Sequence, residues 1–527
     1  MYKYGGGAFL LPYAFALFVV GLPLLMLELA LGQLTQRGAL DSLRIVHPRA
    51  WGVGAAGALG SLIICIYYNV ILCWAWLYFF YSMRADLPWS GGRSNAVDFY
   101  YGLLGMQTDV PCTAGDAGSE ECPCGSMECW ELSAGLGAVQ WKPALALLLN
   151  WAVMWLCVRG GTETVGKAAT YTMPLPFLIM AILFVRAMTL DGAGAGLHAY
   201  FVPDFGALLS GEIWLEAVSQ IFFSLGLAQG IMIAYGSFCE RDAPIKSNTL
   251  VIAFSNCGFS VFAGTVVFGV IGYLANVEGV GVSDVVRGGT GLAFIVFPAA
   301  IDTMPLSPLF AFLFFTMLLT LGIASAFSLL EAFNTVLYDR VPWCNLHKSA
   351  TTAMVCTGGF LVGLLMTTNG GSHVLDVFDH YLSDFLLVII GMTECIFVGW
   401  TYDMDRLARE IEEHTSVPYP RVFQFMVRYV TPAVVGVLGV FNLVREFIDP
   451  FGDYPWWANF MGWLLVLICV GLLSLGLFKP LKAPRDEAKF ASEVGASSIA
   501  EYGFNSKNEL FDAEVEDDGY AADELLD

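Results

Sequence analysis

The stretch QIFFSLGLAQG, from Gln220 to Gly230, lies inside an apolar run long enough to cross a membrane. Two glycines, a serine and two glutamines stand where a helix facing lipid would carry apolar side chains. Irregular backbone at membrane depth is tolerated only where protein covers it or where it lines an aqueous cavity. We therefore expect this membrane helix to unwind near Gly226 and Gly230, beside a buried site.

The composition of the whole chain is that of a membrane protein. Of its 527 residues, 57% are hydrophobic and 14% are charged, and the mean hydropathy is +0.65. Apolar runs of roughly 20 residues recur along the chain and predict an all-α polytopic membrane protein with about 11 transmembrane helices. The predicted spans are 9–31, 55–82, 142–158, 168–189, 213–236, 248–275, 308–337, 350–367, 382–400, 425–444 and 457–477.

Lys and Arg residues are unevenly distributed between the loops. One set of alternate loops and the start of the tail hold 16 of them, whereas the longer loops of the opposite set hold five. Because short cytoplasmic loops are enriched in Lys and Arg, we expect the C-terminus to be cytoplasmic. The acidic tail 484–527 reads as a disordered, solvated segment, with cytoplasmic partners as an alternative role. The net charge of -22 therefore does not indicate a nucleic-acid partner.

Four cysteines, Cys112, Cys122, Cys124 and Cys129, share the loop 83–141, which the charge pattern places outside the cell. Oxidation is permitted there, so we expect one or two disulfides. A zinc site is the alternative, although the spacing does not fit the usual paired pattern of zinc ligands. An enzyme built on a metal held by this cluster is a further alternative.

Polar residues within the spans indicate where function resides, because each is costly in lipid. Glu28, Glu331 and Glu394 are either protonated or hydrogen-bonded between helices, or take part directly in transport. Gln220 and Ser224 are four residues apart and share one helix face, and the same holds for Asn256 and Ser260. These four side chains could form a small neutral cage that suits an anion or a cation.

Long strings of this sequence resemble the neurotransmitter:sodium symporter family. They are YGGGAFLLPYAF, GLPLLMLELALGQ, QIFFSLGLAQG, GLAFIVFPAAI and MLLTLGIASAFSLLEA, and the resemblance runs in order from Tyr2 to about Phe478. It implies a LeuT-like fold of five-plus-five inverted repeats and two further helices, with substrate and ions bound where two spans are broken. The transporter domain would be 1–478, with repeat one in about 1–190, repeat two in about 205–400 and the extra helices in about 421–478.

The resemblance also implies a role for individual residues. For the first sodium ion it implies Ser224 and Asn256, and for the second the Leu321 carbonyl and Ser325, although Ala324 lacks the side-chain oxygen usual in the family. The chloride residues would be Tyr13, Gln220, Ser224, Asn256 and Ser260; chloride-independent relatives carry a carboxylate at the position of Ser260. The substrate residues would be Tyr68, Phe223, Ser224, Gly226, Gln229 and Ser325, and the acidic gate residues would be Asp379 outside and Asp339 inside.

The matching region begins just after the first span of the family. We therefore expect the sequence to start within a longer protein, and we expect the 527-residue chain alone not to transport. An authentic eleven-span product is the alternative.

For the full-length protein we expect sodium- and chloride-coupled symport of a small amino acid, amine or osmolyte by alternating access, in the plasma membrane. Its expected partners are this small-molecule substrate, sodium, chloride and membrane lipid. No cofactor and no enzymatic activity are expected. The alternative function is a non-transporting or regulatory membrane protein of the same family.

Overall fold

The computed structural model describes residues 4–111, 123–124, 126–286, 289–415, 417–452 and 454–481. The chain divides into two units, Met1–Pro480 and Leu481–Asp527. Every helix and strand reported below belongs to the first unit. In the second unit only Leu481 is described, so the predicted acidic tail lies outside the described residues, as do Cys112 and Cys122.

Long helices dominate the first unit, which is an integral membrane domain of the all-α polytopic, LeuT-like class. Within the described ranges, ten helices are long and apolar enough to cross a membrane. They are Gly7–Thr35, Trp51–Ser82, Trp141–Val158, Thr164–Met188, Ile245–Glu278, Ser307–Arg340, Lys348–Thr367, Gly371–Thr415, Arg421–Ile448 and Trp456–Phe478. Each of these ten helices overlaps one of the eleven predicted spans.

The eleventh predicted span, 213–236, is interrupted. Ser210 caps its first half-helix, Gly211–Leu225, by accepting a hydrogen bond from the backbone N–H of Glu212 at 3.3 Å. A second half-helix, Ile231–Gly236, follows after five residues outside regular helix. Neither half is long enough to cross a membrane alone, so the expected break is confirmed.

The helix limits differ from the predicted spans at several points. One helical run covers Gly371–Thr415, whereas the predicted span was 382–400, and its excess includes the polar helix Met404–Thr415. The shorter helix Thr162–Thr172, whose later part belongs to the run Thr164–Met188, begins six residues before the predicted span 168–189. Hydropathy detects only the apolar part of a helix, so the polar ends were missed.

Shorter helices and one small sheet connect the long helices. The helices are Ala39–Val46, Arg93–Leu104, Ala193–Phe201, Val282–Val285, Leu292–Asp302 and Pro342–Leu346. Strands Gln107–Pro111 and Met127–Cys129 pair antiparallel. A disulfide joins Cys124 to Cys129 at the end of this hairpin, so one predicted disulfide is confirmed.

The first long helix supports both halves of the broken one. Its segment Leu10–Ala16 packs against the first half-helix, and its segment Leu22–Thr35 packs against the second. The second contact is very close, because a Cβ atom placed on Gly32 would lie 2.0 Å from the Ile233 carbonyl oxygen. A Cβ atom placed on Gly236 would likewise lie 2.5 Å from the Leu29 carbonyl oxygen. Small residues thus let the two backbones touch.

Candidate functional site

Three residues with left-handed backbone conformations form the break between the half-helices. The φ angles are 64° at Gly226, 60° at Ala228 and 71° at Gly230. The N–H of Leu227 donates to the Phe222 carbonyl at 2.9 Å, which closes the first half-helix in the manner of a Schellman turn. Glycine adopts such angles readily, whereas alanine does so only where its surroundings hold it.

Glu28 supplies the support for Ala228. Its fully buried carboxylate accepts a hydrogen bond of 2.7 Å from the Ala228 N–H. On another side, Gly57 leaves space for the Ala228 carbonyl, since a Cβ atom at Gly57 would lie 3.1 Å from that oxygen. No described residue donates a hydrogen bond to the carbonyls of Leu227 or Ala228. The break therefore presents carbonyl oxygens that could bind a cation or a polar substrate.

Ser224 and Asn256 meet beside the break. The Asn256 amide donates to Ser224 Oγ at 2.7 Å, which links the first half-helix to the helix Ile245–Glu278. Ser260, one turn further along that helix, donates to the Asn256 carbonyl at 3.0 Å. The two polar faces predicted from their four-residue spacing are thus brought together across the helix contact.

Tyr13, Gln220 and Ser260 line one cavity of about 240 Å³. The Tyr13 hydroxyl donates to Cys257 Sγ at 3.2 Å and is also within hydrogen-bonding reach of Ser260. Hydroxyl and amide groups can each turn a donor toward an anion, and these three side chains are uncharged. The Tyr13 and Ser260 hydroxyls, which donate here to Cys257 and to the Asn256 carbonyl, would have to turn toward the cavity to bind a small anion.

Sequence reasoning missed two groups that line this cavity, Tyr4 and Glu216. The Tyr4 hydroxyl donates to Glu216 Oε1 at 2.9 Å. Burial and the neighbouring Glu216 carboxylate raise the pKa of the Tyr4 phenol, which therefore remains a neutral donor. Glu216 precedes Gln220 by four residues, so the same helical spacing could have identified it. No comparable spacing in the sequence indicates the contact between Cys257 and Tyr13.

A second polar group lies between two helices that pack against each other, Trp51–Ser82 and Ser307–Arg340. The hydroxyls of Tyr68 and Ser325 are within hydrogen-bonding reach of each other. Ser325 also lies 3.4 Å from the Leu321 carbonyl, to which it donates. Ala324, the neighbour of Ser325, is 4% exposed and adds no oxygen.

Two further predicted substrate residues flank the break. Gln229 is 2% exposed, and its amide nitrogen has no hydrogen-bond partner among the described residues. Phe223 is half-buried on the first half-helix, and its carbonyl accepts from the N–H of Gly226 at 3.2 Å. A buried amide without a partner costs about 1–3 kcal/mol, so a polar ligand beside Gln229 would be stabilised by bonding to it.

The two predicted gate residues occupy different surroundings. Asp379 accepts hydrogen bonds from Tyr67 at 2.8 Å and from Ser383 at 3.4 Å. Asp339 accepts one from the Gly38 N–H at 2.7 Å. Both carboxylates are therefore already held by uncharged donors.

The cysteine loop offers no candidate metal centre within the part of the chain that the structure describes. No group of three or more His, Cys, Asp or Glu residues arranged to hold a metal ion was found there. Cys124 and Cys129 are joined to each other, so their sulfurs are not free thiolates.

Comparisons with known proteins give one family match and several similar relatives. The family model described as the sodium:neurotransmitter symporter family matches residues 1–481. The sodium- and chloride-dependent GABA transporter 2 of Homo sapiens is 34% identical over 502 residues, which cover 92% of this chain and 83% of that protein. The sodium- and chloride-dependent glycine transporter 1 of Xenopus laevis is 34% identical over 501 residues, covering 90% and 79%.

Proposed function

The chain belongs to the sodium:neurotransmitter symporter family, and we propose that the full-length protein carries a small amino acid, amine or osmolyte across the plasma membrane with sodium and chloride. Its family and its relatives are transporters, not enzymes. The broken helix 211–236, beside the Ser224–Asn256 pair, is the observation that carries this proposal. It offers oxygen ligands and uncharged donors at membrane depth, where ions and a polar substrate can lose their water.

Each ion has its own set of ligands in this proposal. Ser224 and Asn256 contribute side-chain oxygens to a first sodium ion, and the Leu321 carbonyl with Ser325 contributes to a second. Chloride lies near Tyr13, Gln220 and Ser260, close to Ser224 and Asn256, and offsets part of the sodium charge. Sodium moving down its gradient supplies the free energy for substrate uptake by alternating access.

The substrate binds along the break in the proposed mode. Tyr68 donates its hydroxyl to a substrate carboxylate, Phe223 covers the site and Gly226 leaves room for the substrate. Gln229 gives its free amide N–H groups to a polar substituent. The substrate is therefore a small polar molecule rather than an amine with a large apolar ring.

Orientation follows the distribution of Lys and Arg, with the C-terminus in the cytoplasm. Asp379 then lies toward the external medium and Asp339 toward the cytoplasm, as external and internal gate residues. The acidic tail 484–527 lies in the cytoplasm, where it is available to protein partners.

Replacement of Ser260 tests the chloride part of this proposal. In Ser260→Glu, a fixed carboxylate would take the place of the anion, so we expect sodium-driven uptake to continue when gluconate replaces chloride. Ser260→Gln has nearly the same size without the charge and is the matched control, for which we expect uptake to need chloride still. The measurement is uptake of radiolabelled GABA, glycine, taurine and betaine by cells expressing the natural protein.

Two outcomes would contradict the proposal. If the uptake rate of the unmodified protein is unchanged when choline replaces sodium, coupling to sodium is excluded. If both variants reach the cell surface and their uptake depends equally on chloride, Ser260 is excluded from the proposed chloride site.

A further inference from the structure

His380 lies between two carboxylates, one residue after the proposed external gate residue Asp379. Its Nδ1 is 3.1 Å from Asp384 Oδ2, one turn further along the same helical run. Its Nε2 is 3.1 Å from Glu446 Oε2, on the helix Thr431–Ile448. The imidazole ring stacks on Phe451 with 3.9 Å between the ring centres and 9° between the planes.

The two carboxylates determine the form of the imidazole. A neutral imidazole has one N–H and one lone pair, whereas an ionised carboxylate only accepts hydrogen bonds. Both 3.1 Å contacts are therefore satisfied only when each ring nitrogen carries a proton. His380 is an imidazolium in this arrangement, and its two contacts are charge-assisted hydrogen bonds.

Glu446 extends this contact to a third segment. Its Oε1 accepts a hydrogen bond of 2.7 Å from the Tyr381 hydroxyl and one of 3.2 Å from the N–H of Phe451. The Glu446 side chain is nearly buried, so these bonds are shielded from water. His380 and Glu446 thus tie together the helix Gly371–Tyr381, the end of Thr431–Ile448 and the turn at Phe451.

The other charged and titratable groups near His380 have separate partners or lie further along its own helix. Asp379 and Asp376 are on that helix, and Asp379 is held by Tyr67 from the helix Trp51–Ser82. Tyr454, beyond the turn, is within hydrogen-bonding reach of Asp376. The helix Trp456–Phe478, which also packs against this region, contains no charged residue. His380 is therefore the cation that Asp384 and Glu446 share.

We propose that His380 is a positioning residue for the external gate: its imidazolium, clamped by Asp384 and Glu446, fixes the helix end from which Asp379, bonded to Tyr67, closes over bound substrate. The inference rests on the proposed transport function and adds a dependence on external pH to it. Loss of one imidazole proton leaves two carboxylates with a single N–H between them. Their repulsion loosens the helix end that carries Asp379, so substrate binds more weakly at alkaline external pH.

The test measures the apparent KM and the maximal rate of uptake at neutral and at alkaline external pH. For the unmodified protein we expect the KM to rise at alkaline pH while the maximal rate changes little. For His380→Gln we expect a KM about tenfold higher at neutral pH, with no further rise at alkaline pH. His373→Gln is the matched control on the same helix, and it should keep the pH dependence of the unmodified protein, because His373 contacts the Trp130 carbonyl and the Tyr454 ring but has no carboxylate partner among the described residues.

Glu446→Gln provides a second variant that keeps the size and the acceptor for Tyr381 but removes the charge. It should also raise the KM and weaken its pH dependence. If the KM of the unmodified protein is the same at both pH values, the inference about His380 is wrong, whereas the proposed transport function still stands. Absence of sodium-driven uptake by the unmodified protein would instead count against the proposed function itself.

Discussion

The backbone N–H of Ala228 donates a 2.7 Å hydrogen bond to the buried carboxylate of Glu28, across 200 residues of sequence. Ala228 is the only alanine among the described residues with a positive φ angle. The helix that carries Glu28 thus stabilises the positive φ angle of Ala228, which is less favourable for alanine than for the two glycines of the break. The second carboxylate oxygen of Glu28 has no hydrogen-bond partner among the described residues, and Glu394 lies close enough to interact with it electrostatically.

Glu28→Ala should therefore destabilise the protein and abolish uptake. The change leaves the Ala228 N–H buried without an acceptor, at a cost of about 1–3 kcal/mol. Glu28→Gln keeps an acceptor oxygen and can turn its amide toward Glu394, so we expect it to retain most of the stability. Thermal unfolding of the two purified variants in detergent measures their stabilities. Equal losses in the two variants would mean that the charge of Glu28, rather than its bond to Ala228, supports the break.

Ala324→Ser should raise the apparent affinity of the transporter for sodium. The new hydroxyl adds an oxygen beside Ser325 and the Leu321 carbonyl, where the second sodium ion is proposed to bind. We expect half-maximal uptake at a sodium concentration several-fold lower than in the unmodified protein. Ala326→Ser is the control, because Ala326 is a buried alanine of the same helix two residues away. The same shift in both variants would show that the added hydroxyl acts on helix stability and not on sodium.

Gln229→Leu should change the substrate preference. A buried amide that bonds a polar substituent discriminates strongly, because a substrate without that substituent leaves the amide unpaired. We expect a loss of about tenfold or more in kcat/KM for the natural polar substrate, with a smaller loss for an apolar analogue of the same size. Competition between unlabelled amino acids and osmolytes measures the preference. An unchanged order of preference would exclude Gln229 from the substrate site.

Gly32→Ala should disrupt the contact between Leu22–Thr35 and the second half-helix. Its Cβ would lie 2.0 Å from the Ile233 carbonyl oxygen and 2.8 Å from the Ser237 nitrogen, and backbone atoms cannot move aside as a side chain can. Overpacking of this kind costs about 1–3 kcal/mol or more. At Gly471 a Cβ meets nothing within 4 Å, so Gly471→Ala should be neutral or slightly stabilising. Melting temperatures of the two variants in detergent compare them directly.

Much of this fold could be predicted from the sequence, because membrane spans depend on hydropathy that is local in the chain. The break was found for the same reason, since Gly226 and Gly230 interrupt an apolar run. The left-handed angle of Ala228 could not be predicted, because alanine carries no such preference and Glu28 is distant in sequence.

The candidate site was predictable to a similar extent. Four-residue spacing identified both polar faces, and the Ser224–Asn256 bond brings them together. The spacing could not identify Cys257 as the acceptor for Tyr13, since nothing in either helix specifies how the two are rotated toward each other. The same limit applies to His380, whose partner Glu446 lies 66 residues away on another helix.

Several of the long helices contain a π-helical turn, at Leu17–Gly21, Leu382–Leu386, Phe397–Asp403 and Met426–Val430. Such a turn holds more residues than an α-helical turn, so the following side chains are displaced around the helix axis by about 100° for each added residue. In Gly7–Thr35 the exposed side chains Leu11, Phe15 and Phe18 precede Leu22–Thr35, in which every residue is buried. A helical wheel drawn through the turn Leu17–Gly21 would assign the residues after it to the wrong side of the helix.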